Sequence, residues 1–405
     1  MREGWVIEKL SEVVSFERGL TYSKGDEVAK SSIGVLRSNN VDLTTQSLNL
    51  DDIKYLREDF EVPDKKKVKK SSLLMCISNG SKDHLGKVAL IDRDLDYAFG
   101  GFMGLLTPEE GKVFPKYLYY ALSSSSFKDY IHGLADGANI NNLKYKDLAA
   151  FNLLLPPIAE QRRIVDLLDK EFAKIDTLKA NAEKSLQAAK DLFQATTDTL
   201  LNNEHWSVFF LADIAIIKGG KRVPKGYKLE KGPTEHRYIR VADFTDYGTV
   251  EPETVLYISD EVYNVIKAYT ISTKDVYISI AGTIGKSGIV PQTLDGANLT
   301  ENACKLVLAH GYYNRFIFYT TKTSSFKKQV ELLTMQATQP KLALSRLAMI
   351  KIRVPSSFPE QEHIVKRLDG IADSIAILQK NYQKTLALCD ELKKALLRKA
   401  FNGEL

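Results

Sequence analysis

The stretch Gly282-Thr-Ile-Gly-Lys286 has the glycines and the lysine of a phosphate cradle. It is too short to wrap a phosphate in the manner of G-x-x-x-x-G-K-[ST], and neither that motif nor G-x-G-x-x-G occurs in the chain. The six histidines, His84, His132, His205, His236, His310 and His363, are scattered, and no H-E-x-x-H sets two of them on one helix face. Cys76, Cys304 and Cys389 lie far apart and offer neither CxxC metal spacing nor a disulfide framework. Carboxylates are common, but no spaced set resembles a nuclease metal site. The Asn-Pro-Pro-aromatic tetrad of amino-methyltransferases is missing. Bond-making chemistry therefore has no constellation. What the sequence does offer is donors, acceptors and positive charge grouped in turn-like segments. In the first half these are Arg37, Ser38, Asn39 and Asn40, then Asn79, Ser81, Lys82 and Lys87. In the second they are Lys221, Arg222 and Lys225, then Arg240 and Asp243, then Thr283 and Lys286.

The elements that carry these groups occur twice. "WVIEKLSEVVSFERG" from Trp5 is answered by "WSVFFLADIAIIKGG" from Trp206. "IGVLRSNNVD" around Arg37 is answered by "HRYIRVADFTD" around Arg240. "SLLMCISNGSKDHLGKVALI" and "DVYISIAGTIGKSGIV" both read as paired strands joined by a glycine-containing turn that ends in Gly-Lys. A helical segment follows in each half, then a link around Asn141–Asn142 or Gln339, expected to cap structure rather than to bind. Both halves then reach one phrase, "LPPIAEQRRIVDLLDK" from Leu155 and "VPSSFPEQEHIVKRLDG" from Val354, with Glu-Gln, Ile-Val and Leu-Asp matched at a single offset. A period this long is a duplicated domain plus its linker, not a solenoid repeat.

The repeated phrase opens a long helix. Proline at its start needs no backbone N–H, and Glu160 and Glu360 suit the positive end of the helix dipole. In the second helix, Ile364, Leu368, Ile371, Ile375, Leu378, Tyr382, Thr385, Cys389, Leu392 and Leu396 step by four and three, a heptad seam. Ile164, Leu168, Ile175, Leu178, Ala182, Ala189 and Leu192 hold the same register in the first, with Glu171 and Ser185 as interruptions. The expectation is an α/β (α+β) chain of two duplicated globular domains, 1–156 and 203–357, joined by long helices at 157–202 and 358–405. The helices pair as an antiparallel coiled coil and give the chain a pseudo-two-fold axis. Such symmetry suits a two-fold ligand, of which duplex DNA is one.

Composition agrees with a soluble globular protein: of 405 residues, 44% are hydrophobic and 26% charged. No apolar run is long enough for a membrane span and the start lacks a signal peptide. With three unpaired cysteines, a reducing cytoplasm is the expected location. The net charge of +5 does not by itself announce a nucleic-acid binder. Residues 203–357 hold 20 basic and 14 acidic side chains, whereas residues 1–156 hold 21 and 22. The first segment concentrates its base in "DKKKVKK" (Asp64–Lys70), a run that reads first as a solvated face.

The duplicated Pro…Glu-Gln phrase, the long helices, the strand–"GTIGK"–strand loop and the terminal "LRKAFNGEL" (Leu397–Leu405) together resemble the specificity subunit of type I restriction-modification systems, over essentially the whole chain. The chain departs from that pattern in "NGSKDHLGK", which replaces the Gly-Thr-Ile-Gly loop in the first half. It departs also in "VPSSFP", and in a first helix that ends in "LFQATTDTLLNN" without basic residues. The resemblance implies a non-catalytic subunit with two target-recognition domains, each reading half of a split sequence in double-stranded DNA. It implies helices that separate the domains and dock two methyltransferase subunits. S-adenosylmethionine would be bound by those partners and no cofactor by this chain; restriction subunits could join, and no membrane is involved. Under it, the grouped polar residues named above become the candidates for base and phosphate contacts. Two other readings stand beside it. A self-contained methyltransferase or nuclease with diverged motifs would bind S-adenosylmethionine or cut DNA with a metal. A coiled-coil scaffold would show no salt-sensitive affinity for DNA.

Overall fold

The structure is a computed structural model that describes residues 4–136, 142–334 and 341–405; Asn141 and Gln339 lie outside them. The chain divides into two compact units, Met1–Ala182 with Gln383–Leu405, and Glu183–Tyr382. In the first unit an antiparallel four-stranded sheet runs in the order Val14–Arg18, Met103–Pro108, Leu73–Cys76, Val88–Leu90. The strand Leu73–Cys76 is buried on both faces, and its alternation decides what each face covers. Leu73 and Met75 join Trp5, Leu10, Tyr117 and Phe127 in a core shared with helices. Leu74 and Cys76 join Leu36, Val41, Phe99 and Met103 beneath a second, mixed sheet. That sheet is built from Glu27–Val28, Lys54–Leu56, Ile33–Leu36 and Tyr97–Phe99, the last pair parallel. Helices Pro115–Ser123 and Ser125–Asp136 cover the first core.

The second unit repeats this plan. Its four-stranded sheet runs Ala215–Gly219, Ala303–Leu308, Val276–Ser279, Ser287–Gly288. Its smaller sheet is Leu256–Ile258, His236–Ile239, Asn298–Leu299. Again Val276 and Ile278 face the helix-side core while Tyr277 enters the other. In both units a two-stranded ribbon, Val6–Lys9 with Asn152–Leu155 and Ser207–Phe210 with Lys351–Val354, leads into a long helix. The helices span Ile158–Leu201 and Phe358–Phe401.

The repeated Glu-Gln phrase has a structural explanation. Gln161 and Gln361 are buried. The side-chain oxygen of Gln161 accepts from the N–H of Phe114 at 2.7 Å, and its amide donates to the carbonyls of Pro156 and Lys112. Gln361 treats Tyr313, Pro355 and Gly311 in the same way. One glutamine thus satisfies the backbone both where the long helix begins and where the domain's own helix begins. About two turns further on, Asp169 accepts from Lys116 at 2.7 Å and from the hydroxyl of Tyr120. Asp369 accepts from Arg315 and Tyr319, both at 2.5 Å. Burial, reinforced by the neighbouring carboxylate, pushes both tyrosine hydroxyls well above the ordinary range, so they stay neutral donors.

The seam between the helices follows most of the heptad row, with exceptions. In the first unit the ion pairs Asp176–Lys393 (2.6 Å) and Lys179–Asp390 step forward on one helix and back on the other, the mark of antiparallel pairing. In the second unit Leu201 shares a core with Ile364, Val365 and Leu368, which is again antiparallel. In the first helix Ile164, Leu168 and Ile175 of the heptad row are buried, as are Leu186 and Thr197, which lie outside it. In the second helix every position of the row but Leu392 is buried or half-buried. Eleven residues make three turns of a nearly straight α-helix, whereas a strict seven-residue row drifts by about 20° per heptad. Leu178, Leu192 and Leu392, placed in the seam by heptad counting, have rotated out of it and are exposed.

Candidate nucleic-acid interface

In the first domain two of the predicted segments meet. The strand Ile33–Leu36 ends at Arg37 and turns through the short 3-10 segment Ser38–Asn40. The side-chain oxygen of Asn40 accepts from the N–H of Arg37 at 2.8 Å, and its amide donates to the carbonyls of Asn49 and Asp52. Asn40 is buried and closes the turn. Asn39 is exposed and donates to the Asp52 carboxylate at 2.9 Å. Across from it, Asn79 donates to Ser38 Oγ at 2.8 Å, which ties the second predicted segment to the first. Asn79 Oδ1 also accepts from the N–H of Ser81, and Ser81 and Lys82 are exposed at the tip. Gly86 closes this turn at φ +77°, a conformation that favours glycine. Lys87 points the other way. It is buried, with Nζ donating to the carbonyl of Val41 at 2.7 Å, and burial holds its ammonium below the usual lysine range. Arg37 reaches Asp52 at 3.3 Å, while its Nε is buried with no hydrogen-bond partner.

The second domain builds the same turn with a charge. Asp243, 2% exposed, accepts from the N–H of Arg240 and takes two bonds from its guanidinium, at 3.1 and 2.6 Å. The guanidinium also donates to the Thr254 carbonyl. Thr283 is exposed, and Lys286, half-buried, pairs with Asp246 at 3.0 Å. Nearby Lys322, largely buried, is pushed down to about 8, first by burial and then by Lys327. The loop after Gly219 runs beside the start of the next core strand. Gly220 is required there, since a Cβ would sit 2.0 Å from the Thr300 carbonyl oxygen. Lys221 lies over the Tyr269 ring, Arg222 pairs with Glu301 at 2.5 Å, and Lys225 is exposed.

The structure therefore divides the sequence candidates. Ser38, Asn39, Asn79, Ser81 and Lys82 form one accessible polar cluster. Lys221, Arg222, Lys225, Thr283 and Lys286 are accessible on the second domain. Asn40, Asp243 and Lys87 spend their side chains inside the fold, and Arg240 is held by Asp243. In the Asp64–Lys70 run three of the five lysines are paired: Lys66 with Glu17, Lys67 with Asp96 and Lys69 with Asp64. Sequence reading missed Gln161, Gln361, Asp169 and Asp369, although the repeated phrase itself was their signal. Among the described residues no group of His, Cys, Asp or Glu could hold a metal ion, and no helix is long and apolar enough to cross a membrane.

The family model for the type I restriction modification DNA specificity domain matches residues 2–188 and again residues 203–386. The chain belongs to that family. Its work is DNA sequence recognition by two domains, and in type I systems the specificity subunit is the non-catalytic recognition component. Similar curated proteins include the EcoKI specificity subunit of Escherichia coli K12, 26% identical over all of this chain and 89% of that one. The StySPI specificity subunit of Salmonella potsdam is 25% identical over the same shares. A putative MjaX specificity subunit of Methanocaldococcus jannaschii is 24% identical over all of this chain and 94% of its own. Among solved structures, a chain from a study of complex assembly and conformational transition in a type I restriction-modification system has a TM-score of 0.80. It is 18% identical, over all of this chain and 99% of that one. An HsdS subunit from Thermoanaerobacter tengcongensis has a TM-score of 0.59 at 17% identity, over all of this chain and 98% of that one. These two share the fold. DNA and the other subunits of a type I complex are accordingly the partners of this specificity subunit.

Proposed function

We propose that each specificity domain reads one half of a bipartite DNA target, with Ser38, Asn39, Asn79, Ser81 and Lys82 serving one half-site and Lys221, Arg222, Lys225, Thr283 and Lys286 the other. The observation that carries this reading is that each domain repeats the turn braced by buried Asn40 or Asp243 and a Gly-Lys loop with an exposed tip, beside accessible polar and basic side chains. Amide and hydroxyl groups suit base edges, and the lysines and arginine suit phosphates. Further, the long helices set the spacer and dock two methyltransferase subunits, which carry S-adenosylmethionine; restriction subunits add to that assembly. Support for docking comes from apolar side chains that the helices leave exposed. Leu178, Leu388 and Leu392 are exposed in the first unit, and Leu192 and Ile377 in the second. Apolar residues on an exposed helix face are what a partner helix or groove would cover.

The test is the methylated motif produced in cells by the chain with its methyltransferase subunits. Asn39→Ala combined with Asn79→Ala should relax or change one half of the motif and leave the other half as it was. A change in both halves, or in neither while the variant is folded, contradicts the assignment of one half-site per domain.

A further inference from the structure

Phe102 is 67% exposed, yet its backbone is fixed. Its carbonyl accepts from the N–H groups of Ile77 at 2.9 Å and Ser78 at 3.1 Å, directly beside Asn79. The turn behind it is closed by Met103 N–H donating to the Gly100 carbonyl at 2.8 Å, and Gly19 N–H donates to the Met103 carbonyl at 2.9 Å. An isolated exposed hydrophobic residue is ordinary on a protein surface. This one differs in its setting: a large ring on a rigid tip, next to the Ser38–Asn79 polar cluster. The duplicated domain gives an internal control. There Asn302 holds the same place, its carbonyl accepting from Ile280 at 2.8 Å and Ala281 at 3.2 Å. Ala303 N–H closes the turn onto Thr300, and Gly220 N–H donates to the Ala303 carbonyl. The backbone frame is the same in both domains, and the side chain it presents changes from an apolar ring to an amide.

We infer that this position is a specificity-determining contact in each domain, with Phe102 making an apolar contact to a thymine methyl in the first half-site. The major-groove edge of a base pair presents one apolar group, the thymine C5 methyl, and phenylalanine is among the side chains that match it. Asn302, by the same logic, offers the paired donor and acceptor that suit adenine. The inference rests on the reading that each domain recognises one half-site. It adds a residue to that reading which the pattern of polar turns alone does not show.

The experiment uses the full chain assembled with its methyltransferase subunits, after the motif has been mapped. Affinity is measured for duplexes in which each thymine of the first half-site is replaced in turn by deoxyuridine, which lacks only the methyl. One replacement should weaken binding of the unaltered protein several-fold. Phe102→Ala should weaken binding of the natural duplex by a similar factor and be indifferent to that replacement, with its melting temperature unchanged because the ring is exposed. The half-site served by the second domain should be read as before. Indifference of the unaltered protein to every deoxyuridine overturns the inference, as does a Phe102→Ala protein that keeps the sensitivity. So does 2-aminopurine fluorescence showing a base step unstacked by Phe102, which would make the ring a wedge rather than a methyl reader. Loss of the underlying reading looks different: the assembled protein would then fail to distinguish the mapped first half-site from a scrambled one at all.

Discussion

Arg37 and Arg240 occupy the same place in two copies of one turn and differ in what they hold. Arg240 neutralises a carboxylate that is 2% exposed, whereas Arg37 begins a turn closed by the neutral amide of Asn40. Removing one partner of a buried pair costs about 3–5 kcal/mol because it leaves a charge uncompensated. Arg240 is itself about a third exposed, so water offsets part of that loss. Arg240→Ala should therefore destabilise the second domain by about 3 kcal/mol, and Arg37→Ala should cost the first at most about 1 kcal/mol, the scale of its exposed ion pair with Asp52, since the backbone N–H bonded to Asn40 remains. Chemical denaturation of the two variants checks this; equal losses would contradict it. The residue types at these turns were legible in the sequence, but their division of labour was not. Nothing in "RSNN" or "RVAD" says that the fourth residue points inward while its neighbours stay accessible. That depends on the chain returning against the turn, at Asn49 and Asp52 in the first domain and at Thr254 in the second. Lys87 and Lys286 make the same point: the Gly-Lys signature fixes a turn, and packing decides that one lysine is buried on the Val41 carbonyl while the other meets Asp246.

At the scale of elements, the two long helices and their starts were readable because proline, the acidic first turn and the repeated phrase are local signals. Their seam was legible in most positions, and the exceptions have a physical reason. Steps of four and three fit both a seven- and an eleven-residue repeat over a few turns, and only the longer run shows the drift that separates them. Leu186, absent from the heptad row, is buried, and Leu178, inside that row, is exposed. The exposed leucines give a prediction of their own. Leu388→Glu with Leu392→Glu should leave helicity and the melting temperature nearly unchanged, since both side chains already face solvent, and should weaken capture of the methyltransferase subunit at least tenfold. Co-purification with that subunit, alongside circular dichroism, is the check. Undiminished capture would place docking elsewhere on the chain.

For the whole molecule, duplication is the organising fact, and the sequence carried it in full: two tryptophans, two arginine turns, two Gly-Lys loops and two Glu-Gln helix starts. We propose that the length of the helices between the two readers sets the spacer. The direct test shortens both helices while keeping their seam, by deleting residues 179–189 together with residues 380–390. Lys179 and Asp390, at one end of these stretches, are an ion pair, and eleven residues make about three turns, so each deletion keeps the face of its helix. At about 1.5 Å per residue the helices lose about 16 Å, equivalent to at most about 5 base pairs of duplex. Methylation mapping with the shortened chain and its methyltransferase subunits should show the same two half-sites with a shorter spacer between them. Altered half-sites at an unaltered spacer would contradict the account and assign base recognition to the helices themselves.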